Sequence, residues 1–496
     1  MWWFLLVNAG GGCSESPSTP EKRAKTPKSA VIDWQPVPAS IAASDGVTMA
    51  AALASVATAV ATRPLPRSAS GATADDIAVI VLDTVRADRV GLYGYGEKTT
   101  PNLDAWSATA HVWDRAYADA PWTLPSHASM FTGKCQREHA ARSLDESDPR
   151  KGSPLPQSEV TVAETLQSAG YRTIGVTGNR AFLHPAYGLS QGFDVWINEQ
   201  VVEDTRGVSY TAADRIVPLA LSAATQQDEH PLFLFVNLMD AHTPYKPRKG
   251  YVADANVLIR KSLPGNGGGF KKQASKLMQG SLVEPKVLAS WSMAYDSELR
   301  WLDHQLAPLL AGLSEFEHVF ILSDHGEYLG EHRLVEHAKD VYEPVTHIPF
   351  MARTPRFLPG RDRGFVQNHD LAWMVLEAAG QVVPEHVHRT GDVAVSDLYY
   401  TLKKDLTNPE YGHRFNRIRR AFWVGDHKLI VDDKGNREGF DLLADPGESQ
   451  PSFRSPSFDG IAERYLVDHP EAAVVPRTDS PAEPTDELLR QLGYVE

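Results

Sequence analysis

The stretch IAVIVLDTVRAD, residues 77–88, decides the fold class of this 496-residue chain. Its first half, IAVIVL (77–82), is an unbroken run of apolar and mostly β-branched residues, which is typical of a strand buried on both faces. Similar runs recur as LFLFVNL (232–238) and HVFILS (318–323). Strands of this kind belong to mostly parallel sheets that helices cover on both sides.

Helical patterns lie between these apolar runs. VTVAETLQSAG (160–170) ends on a glycine, which is typical of a helix C-terminus, and SWSMAYDSELRWLDHQLAPLL (290–310) predicts a longer helix. The alternation of strands and helices predicts an α/β fold in which a large, mixed and mostly parallel sheet lies between two layers of helices.

Residues that can bind a metal follow each apolar run. Asp83 follows the first run, Asp240 and His242 follow the second, and Asp324 and His325 follow the third. In open α/β sheets ligands bind beyond the carboxyl ends of the strands, so we expect these side chains to converge. Asp83, Asp324 and His325 offer two carboxylates and one imidazole, a set that suits Mn²⁺ or Zn²⁺ better than Ca²⁺ or Mg²⁺. The sequence therefore predicts a divalent metal site.

The segment PWTLPSHASMFTG (121–133) brings two hydroxyls that could act at this site or simply begin a helix. Thr123 is the natural further ligand, because a hydroxyl bound to a cation has a lowered pKa and can attack as an alkoxide near neutral pH. If Thr123 begins a helix, the N–H groups of the first turn point at the anion under attack. Ser126 is expected to be a local cap.

Net charge restricts the partners of the protein. A formal charge of −14 argues against nucleic acid or an anionic membrane surface as the main partner. A small anionic ester remains compatible, because a metal or a basic pocket can override the global field. The two cysteines, Cys13 and Cys135, are too few for a disulfide scaffold.

The N-terminus, MWWFLLVNAGGGCSESPSTPEK (1–22), resembles a bacterial lipoprotein leader (1–13) in which Cys13 would carry the lipid. The resemblance implies a cell-envelope protein, either membrane-anchored or periplasmic. The alternative is an N-terminal segment that happens to contain a cysteine, which would leave the protein cytoplasmic. Residues 14–74 are expected to form a linker and an Ala-rich helix.

The motifs of residues 75–455 resemble, in their order, those of the sulfatase family within the alkaline phosphatase superfamily. The resemblance rests on VLDTVRADRVGLYGYG (81–96), WTLPSHASMFTG (122–133), MDAHTPY (239–245), LSDHGEYLGEH (322–332) and FDLLADPGE (440–448). It implies an alkaline phosphatase-like catalytic domain over residues 75–390 and a smaller C-terminal α+β subdomain over 391–470. Residues 471–496 are expected to be a tail.

This chain departs from the family pattern at informative positions. The family nucleophile is a Cys or Ser that is converted to formylglycine and followed by an Arg; here Thr123 and His127 stand at those positions. Thr is not a substrate of that modification, so we predict no formylglycine. Thr84 replaces a second Asp, and His337 falls near a family Lys. These changes favour one Mn²⁺ or Zn²⁺ ion, with Ca²⁺ as the alternative.

The resemblance also implies roles for the remaining polar residues. His242 and His337 are expected to contact the leaving-group or non-bridging oxygens, with one of them acting as general acid. His127, Asn179 and His347 are expected to bind substrate or to support the pocket. For Asn179, a loop-capping role is the alternative.

A Thr nucleophile favours phosphoryl transfer. A formylglycine hydrate expels sulfate by re-forming its aldehyde, whereas a sulfo-threonine has no such exit and a phospho-threonine can be attacked at phosphorus. We therefore predict a hydrolase of phosphate or phosphonate mono- or diesters with Thr123 as nucleophile. The alternatives are a sulfuric ester hydrolase, a phosphoglycerol-type transferase, and a catalytically inactive envelope binding protein. The sequence leaves the exact substrate and the oligomeric state open.

Overall fold

The computed structural model describes residues 75–143, 152–198, 210–225, 230–265, 268–399, 403–452 and 456–474. The predicted leader, linker and Ala-rich helix (1–74) lie outside these ranges, as does most of the predicted tail, so anchoring through Cys13 stays a prediction. Within the described ranges, every helix is too short or too polar to span a bilayer.

The strands, numbered along the chain, are β1 (Ile77–Leu82), β2 (His111–Tyr117), β3 (Arg172–Thr177), β4 (Val195–Ile197), β5 (Leu232–Leu238), β6 (His318–Leu322), β7 (Tyr328–Leu329), β8 (Val335–Glu336), β9 (Phe350–Arg353), β10 (Gly360–Gln367), β11 (Ala394–Tyr399), β12 (Ile418–Val424), β13 (His427–Asp432) and β14 (Arg437–Asp441). The α-helices are α1 (Pro101–Ser107), α2 (Thr123–Thr132), α3 (Gln136–His139), α4 (Val162–Ser168), α5 (Ala213–Thr225), α6 (Gly268–Met278), α7 (Pro285–Gly312), α8 (Glu343–Thr346), α9 (Asp370–Ala378), α10 (Lys403–Leu406) and α11 (Pro456–Asp468).

The main sheet has eight strands in the order β10-β2-β9-β6-β1-β5-β3-β4. β9 pairs antiparallel with both of its neighbours, and the other adjacent pairs are parallel. The predicted α/β class with a mixed, mostly parallel sheet is confirmed. β1 lies between β5 and β6, so the three apolar runs found in the sequence are neighbours in the centre of the sheet.

Side chains of β1 enter both hydrophobic cores of the protein. Ile77, Val79 and Val81 pack on the side covered by α2, α4 and α9, and the alternate residues of the strand pack on the side covered by α5 and α7. All six residues of the strand are buried. Burial on both faces explains why the run contains no polar residue, since each polar side chain there would lose its hydration.

A separate four-stranded antiparallel sheet, β11-β12-β13-β14, occupies residues 394–441. With α11 it forms the smaller α+β region that the sequence predicted for the C-terminal part of the chain. The boundaries drawn at residues 390 and 470 stay predictions, as does the division into domains.

An ion pair fixes the loop between β2 and α2. The Asp119 carboxylate lies 2.7 Å from Nδ1 of His369 and also accepts a hydrogen bond from the His369 backbone N–H. The Asp119 carbonyl accepts a hydrogen bond from the N–H of Asp397 in β11. The loop that leads to Thr123 is therefore tied both to the start of α9 and to the C-terminal sheet.

We expect this ion pair to make stability depend on pH. Burial lowers the pKa of His369, but Asp119 and Asp370 outweigh it and raise the pKa to about 9. Since an unfolded histidine titrates at about 6.5, the pair contributes its full stabilisation below that pH and loses it as the pH rises through about 9. The contribution is on the order of 3 kcal/mol.

His369→Gln should remove most of this dependence. Urea denaturation in excess chelator, at about pH 6 and about pH 9.5, measures the change in the free energy of unfolding across the transition. The exposed residue His413 provides the matched control, because His413→Gln should follow the unsubstituted protein. Parallel pH profiles for the unsubstituted protein and His369→Gln would contradict the assignment.

Candidate active site

Three predicted metal ligands converge where β1 and β6 end. One ligand atom each from Asp83, Asp324 and His325 lies within 4.8 Å of the other two, and all three side chains are fully buried. Asp83 directly follows β1, whereas Asp324 and His325 follow β6, which pairs with β1 in parallel. The convergence therefore follows from strand order, as the sequence predicted.

The Asp324 carboxylate is fixed through one oxygen only. Its Oδ1 accepts hydrogen bonds from the backbone N–H groups of Thr84, at 3.1 Å, and His325, at 2.9 Å. Thr84 has a φ of 59°, a left-handed conformation that a β-branched residue rarely adopts. Its hydroxyl donates to the Asp83 carbonyl. Within the described ranges, Oδ2 of Asp324 has no hydrogen-bond partner.

In Asp83, too, only one carboxylate oxygen accepts hydrogen bonds. Its Oδ2 accepts hydrogen bonds from the side-chain amides of Asn179 and Asn237, both at 3.2 Å. Its Oδ1 finds no hydrogen-bond partner among the residues that the structure describes. A buried carboxylate oxygen without a partner costs free energy unless a cation compensates it.

The electrostatics of the two carboxylates fit a divalent cation. Burial, together with the neighbouring Asp324, raises the pKa of Asp83 to about 6, and burial raises that of Asp324 to about 7. Both groups therefore resist ionising together in the protein alone. A cation between them favours the charged form of both. Two carboxylates and the His325 imidazole are a donor set that Mn²⁺ and Zn²⁺ accept.

Thr123 is the first residue of α2, which meets the condition for its hydroxyl and the first-turn N–H groups to face the same anion. Its buried Oγ lies 3.4 Å from Nε2 of His325 and 3.5 Å from Nδ2 of Asn179. The preceding residue, Trp122, is extended and supplies no side-chain cap. The expected capping role of Ser126 is wrong: it lies inside the helix, where its hydroxyl donates to the Ala120 carbonyl. The Thr123 hydroxyl thus lies beside the imidazole of the metal-ligand group.

Three imidazoles form one wall of the site. The ring of His337 lies 4.6 Å from that of His325 and 4.9 Å from that of His242, measured between centroids. Burial, with the proximity of His337, lowers the pKa of both His242 and His325 to about 4. These two rings are therefore neutral near pH 7, the form that can ligate a metal or exchange protons.

Glu327, for which no role was predicted from the sequence, orients His337. Its Oε1 lies 3.0 Å from Nδ1 of His337, and burial raises its pKa to about 7. Asn237 was also missed, although it binds both Asp83 and the backbone N–H of Asn179. The available signal was a lone amide near the end of the apolar run LFLFVNL. Asn179, predicted as a pocket residue, both contacts Asp83 and caps its own loop by accepting the N–H groups of residues 181 and 182.

His127 and His347 lie in different places. Nδ1 of His127 is 2.9 Å from the Thr123 carbonyl and 3.7 Å from Oδ2 of Asp324, so this ring borders the site. Nε2 of His347 instead contacts the Asp114 carbonyl, and its ring packs against Tyr117. The structure does not bring His347 to the cluster, because a β-bridge to Tyr117 keeps it beside β2.

This chain is similar to known sulfatases over most of its length. The profile described as Sulfatase matches residues 75–381. An arylsulfatase from Clostridium perfringens is 21% identical over 440 residues, which cover 75% of this chain and 89% of that protein.

Solved structures show the same fold. A phosphonate monoester hydrolase from Silicibacter pomeroyi has a TM-score of 0.61 and 17% identity, covering 80% of this chain and 96% of that one. A protein solved in complex with its substrate, D-glucosamine-2-N,6-O-disulfate, has a TM-score of 0.59 and 18% identity, covering 85% and 98%.

Proposed function

This chain belongs to the sulfatase family of the alkaline phosphatase superfamily and is a hydrolase of sulfuric or phosphoric esters; we propose that it hydrolyses phosphate or phosphonate esters with Thr123 as nucleophile. The observation that carries the proposal is the position of the Thr123 hydroxyl. It lies 3.4 Å from Nε2 of His325, beside two buried carboxylates that each keep one oxygen without a hydrogen bond.

Asp83, Asp324, His325 and the hydroxyl of Thr123 would hold one divalent ion, with Mn²⁺ or Zn²⁺ favoured by the imidazole. When bound, such an ion supplies Lewis-acid charge that lowers the pKa of a nearby hydroxyl and offsets the charge of phosphoryl oxygens. The asparagines that hold Oδ2 of Asp83 keep its Oδ1 directed away from them and available.

Thr123 attacks phosphorus, and the bond from phosphorus to the ester oxygen breaks. The alcohol leaves with one proton, which balances the proton lost from the threonine hydroxyl, and a phospho-threonine remains. Water then attacks the same phosphorus, restoring the threonine and releasing phosphate from a monoester, a phosphate monoester from a diester, or a phosphonate. The N-terminus of α2, a helix of ten residues, favours the negative charge at this point.

His242 and His337 handle the proton of the leaving group. Their rings are adjacent, and Glu327 fixes the orientation of His337 through its Nδ1. A neutral imidazole can pass on a proton taken from water, and an orienting carboxylate stabilises the charged ring while it carries that proton. We assign the general acid to this pair.

Threonine is the reason for preferring phosphorus over sulfur. Sulfate esters of formylglycine hydrates break down by re-forming an aldehyde, which threonine cannot do. A sulfo-threonine would have to be attacked at sulfur, whereas a phospho-threonine is open to attack at phosphorus. His127 stands where the family carries Arg, and its buried, weakly basic ring, with a pKa of about 3 because of desolvation, offers no positive charge to an aldehyde hydrate.

Four p-nitrophenyl esters with a common leaving group test this proposal: a phenylphosphonate, a phosphodiester, a phosphomonoester and a sulfate. We expect turnover of the phosphorus esters in Mn²⁺ or Zn²⁺, at least about 100-fold faster than that of the sulfate, and its loss in chelator. Intact-mass analysis should find Thr123 unmodified. Robust sulfate turnover without turnover of any phosphorus ester would overturn the proposal.

A further inference from the structure

A second group of metal-binding side chains lies outside the active site. We call this group the Cys135 cluster, and it consists of Cys135, Glu138, His388 and His469. The cysteine and the two histidines line a cavity of about 530 Å³, and Glu138 contacts this lining through His388. The cluster uses none of the residues assigned to catalysis. It brings together the start of α3, the loop after α9 and the residue that follows α11.

Three of the four donor atoms are close enough to share one ion, and the His388 ring lies beside Glu138, one of the three. The thiol of Cys135, a carboxylate oxygen of Glu138 and a ring nitrogen of His469 all lie within 4.8 Å of one another. Nε2 of His388 is 2.8 Å and 3.0 Å from the two oxygens of Glu138, and Nδ1 of His469 is 3.2 Å from one of them. Ligands at about 2.0–2.3 Å from a tetrahedral zinc ion lie roughly 3.3–3.8 Å from each other, so these hydrogen-bonded pairs would move apart by a few tenths of an ångström when an ion binds.

Hydrogen bonds that involve backbone groups hold the three segments in place. The N–H of His388 donates to the Gly133 carbonyl at 2.8 Å, and Nε of Arg137 donates to the His469 carbonyl at 2.8 Å. The N–H of Cys135 donates to Glu138 at 3.1 Å. The geometry is therefore built into the fold, as a preorganised metal site requires.

We propose that the Cys135 cluster binds one zinc ion through Cys135, Glu138, His388 and His469. Thiolate and imidazole are ligands that favour Zn²⁺ over Ca²⁺, Mg²⁺ or Mn²⁺. One thiolate and one carboxylate balance the charge of the ion, and the two imidazoles bind as neutral rings. The side chains of His388 and His469 are 31% and 25% exposed, so an ion can enter from solvent.

Binding releases a proton from the cysteine. Burial and the adjacent Glu138 raise the pKa of the Cys135 thiol, so this group is protonated without an ion. Burial alone would raise the pKa of Glu138, but its hydrogen bonds to His388 and His469 hold that pKa below the ordinary value. A sulfur–zinc bond forms as the sulfur–hydrogen bond breaks, and the proton goes to water.

The ion would join the C-terminal helix to the catalytic part of the chain. Glu138 and His469 are 331 residues apart in sequence, and Glu138 and His388 are 250 apart. Because Cys135 lies only three residues after the helix that begins with Thr123, the zinc would also support the segment next to the nucleophile. Its role is structural, since all four positions are taken by the protein.

Cobalt(II) substitution tests the site, because only a thiolate ligand gives an intense near-ultraviolet charge-transfer band. Titration is made on the full-length Asp324→Asn protein, in which the active-site ligand group is disrupted. We expect the band to saturate at one equivalent and to disappear on adding zinc. It should be lost with Cys135→Ser and retained with Cys13→Ser. The absence of the band, or its loss with Cys13→Ser alone, would overturn the proposal.

A second set of measurements tests the site without the Cys135→Ser variant, in case that variant folds poorly. Zinc should raise the Tm of the Asp324→Asn protein. In the same background, His469→Gln or His388→Gln should weaken cobalt binding at least about tenfold, since replacing even a residue that only contacts a ligand has an effect of this size. His386 lies in the same loop as His388 but outside the cluster, so His386→Gln is the matched control and should bind normally. Unchanged cobalt affinity in both ligand variants would refute the site.

Discussion

Thr123→Ala should abolish turnover of phosphonate and phosphodiester substrates, with a loss on the order of 10⁴-fold or more in kcat. The alanine removes the hydroxyl that we propose as the nucleophile, and the other hydroxyl in the first turns of α2, that of Ser126, is directed to the Ala120 carbonyl. The substitution leaves the helix intact, because Thr123 makes no side-chain cap there. Steady-state rates with the p-nitrophenyl esters measure the effect.

Two control variants distinguish the loss of a nucleophile from damage to the structure of the helix. Thr123→Ser keeps a hydroxyl and should retain measurable turnover and a trappable phospho-serine, detected by intact mass after acid quench. Ser126→Ala removes the neighbouring hydroxyl, which donates to the Ala120 carbonyl, and should keep the rate within about tenfold. Undiminished turnover in Thr123→Ala would refute covalent catalysis by this residue.

Asp324→Asn should lower Mn²⁺ affinity by more than about 100-fold, since changes in outer-shell residues alone cost 10–100-fold. Turnover should fall with it, by a factor on the order of 10³. The variant keeps an oxygen that can accept the N–H groups of Thr84 and His325, but it loses the carboxylate charge. Electron paramagnetic resonance of free Mn²⁺ measures the binding directly.

The metal-free Asp324→Asn protein should be at least as stable as the parent near pH 7.5, because it no longer buries two neighbouring carboxylates whose pKa values are raised by burial. Urea denaturation in chelator checks this expectation. Asp88→Asn is the matched control: Asp88 follows the same strand as Asp83, is half exposed, and should leave Mn²⁺ binding unchanged. Retained Mn²⁺ affinity in Asp324→Asn would remove Asp324 from the ligand set.

The apolar runs and the residues that follow them were enough to predict the central strands of the sheet and two candidate metal ligands, Asp83 and Asp324. The runs at 77–82, 232–238 and 318–323 had to be buried on both faces, and the structure pairs them side by side. Because a parallel sheet aligns the carboxyl ends of its strands, Asp83 and Asp324 could be predicted to meet. Asp240 also follows one of these strands but does not join them, because its carboxylate accepts the N–H of Ala213 and pairs with Arg248.

Residues whose contacts come from distant segments could not be predicted in this way. Glu327 lies against His337 across the β7–β8 hairpin, and Asn237 reaches Asp83 from the adjacent strand. His347 was expected near the substrate but is held beside β2 by its bridge to Tyr117. In each case the sequence shows the residue type but not which way its segment faces.

Local residue patterns were therefore sufficient to predict the α/β class, the family resemblance, and a threonine beside two aspartates and a histidine. These features can be predicted because a buried strand and the polar residue that directly follows it both lie within a few consecutive residues. Long-range packing sets which polar residues hold those side chains, and it also brings together Cys135, Glu138, His388 and His469. Such contacts depend on how segments hundreds of residues apart pack, which no local periodicity records.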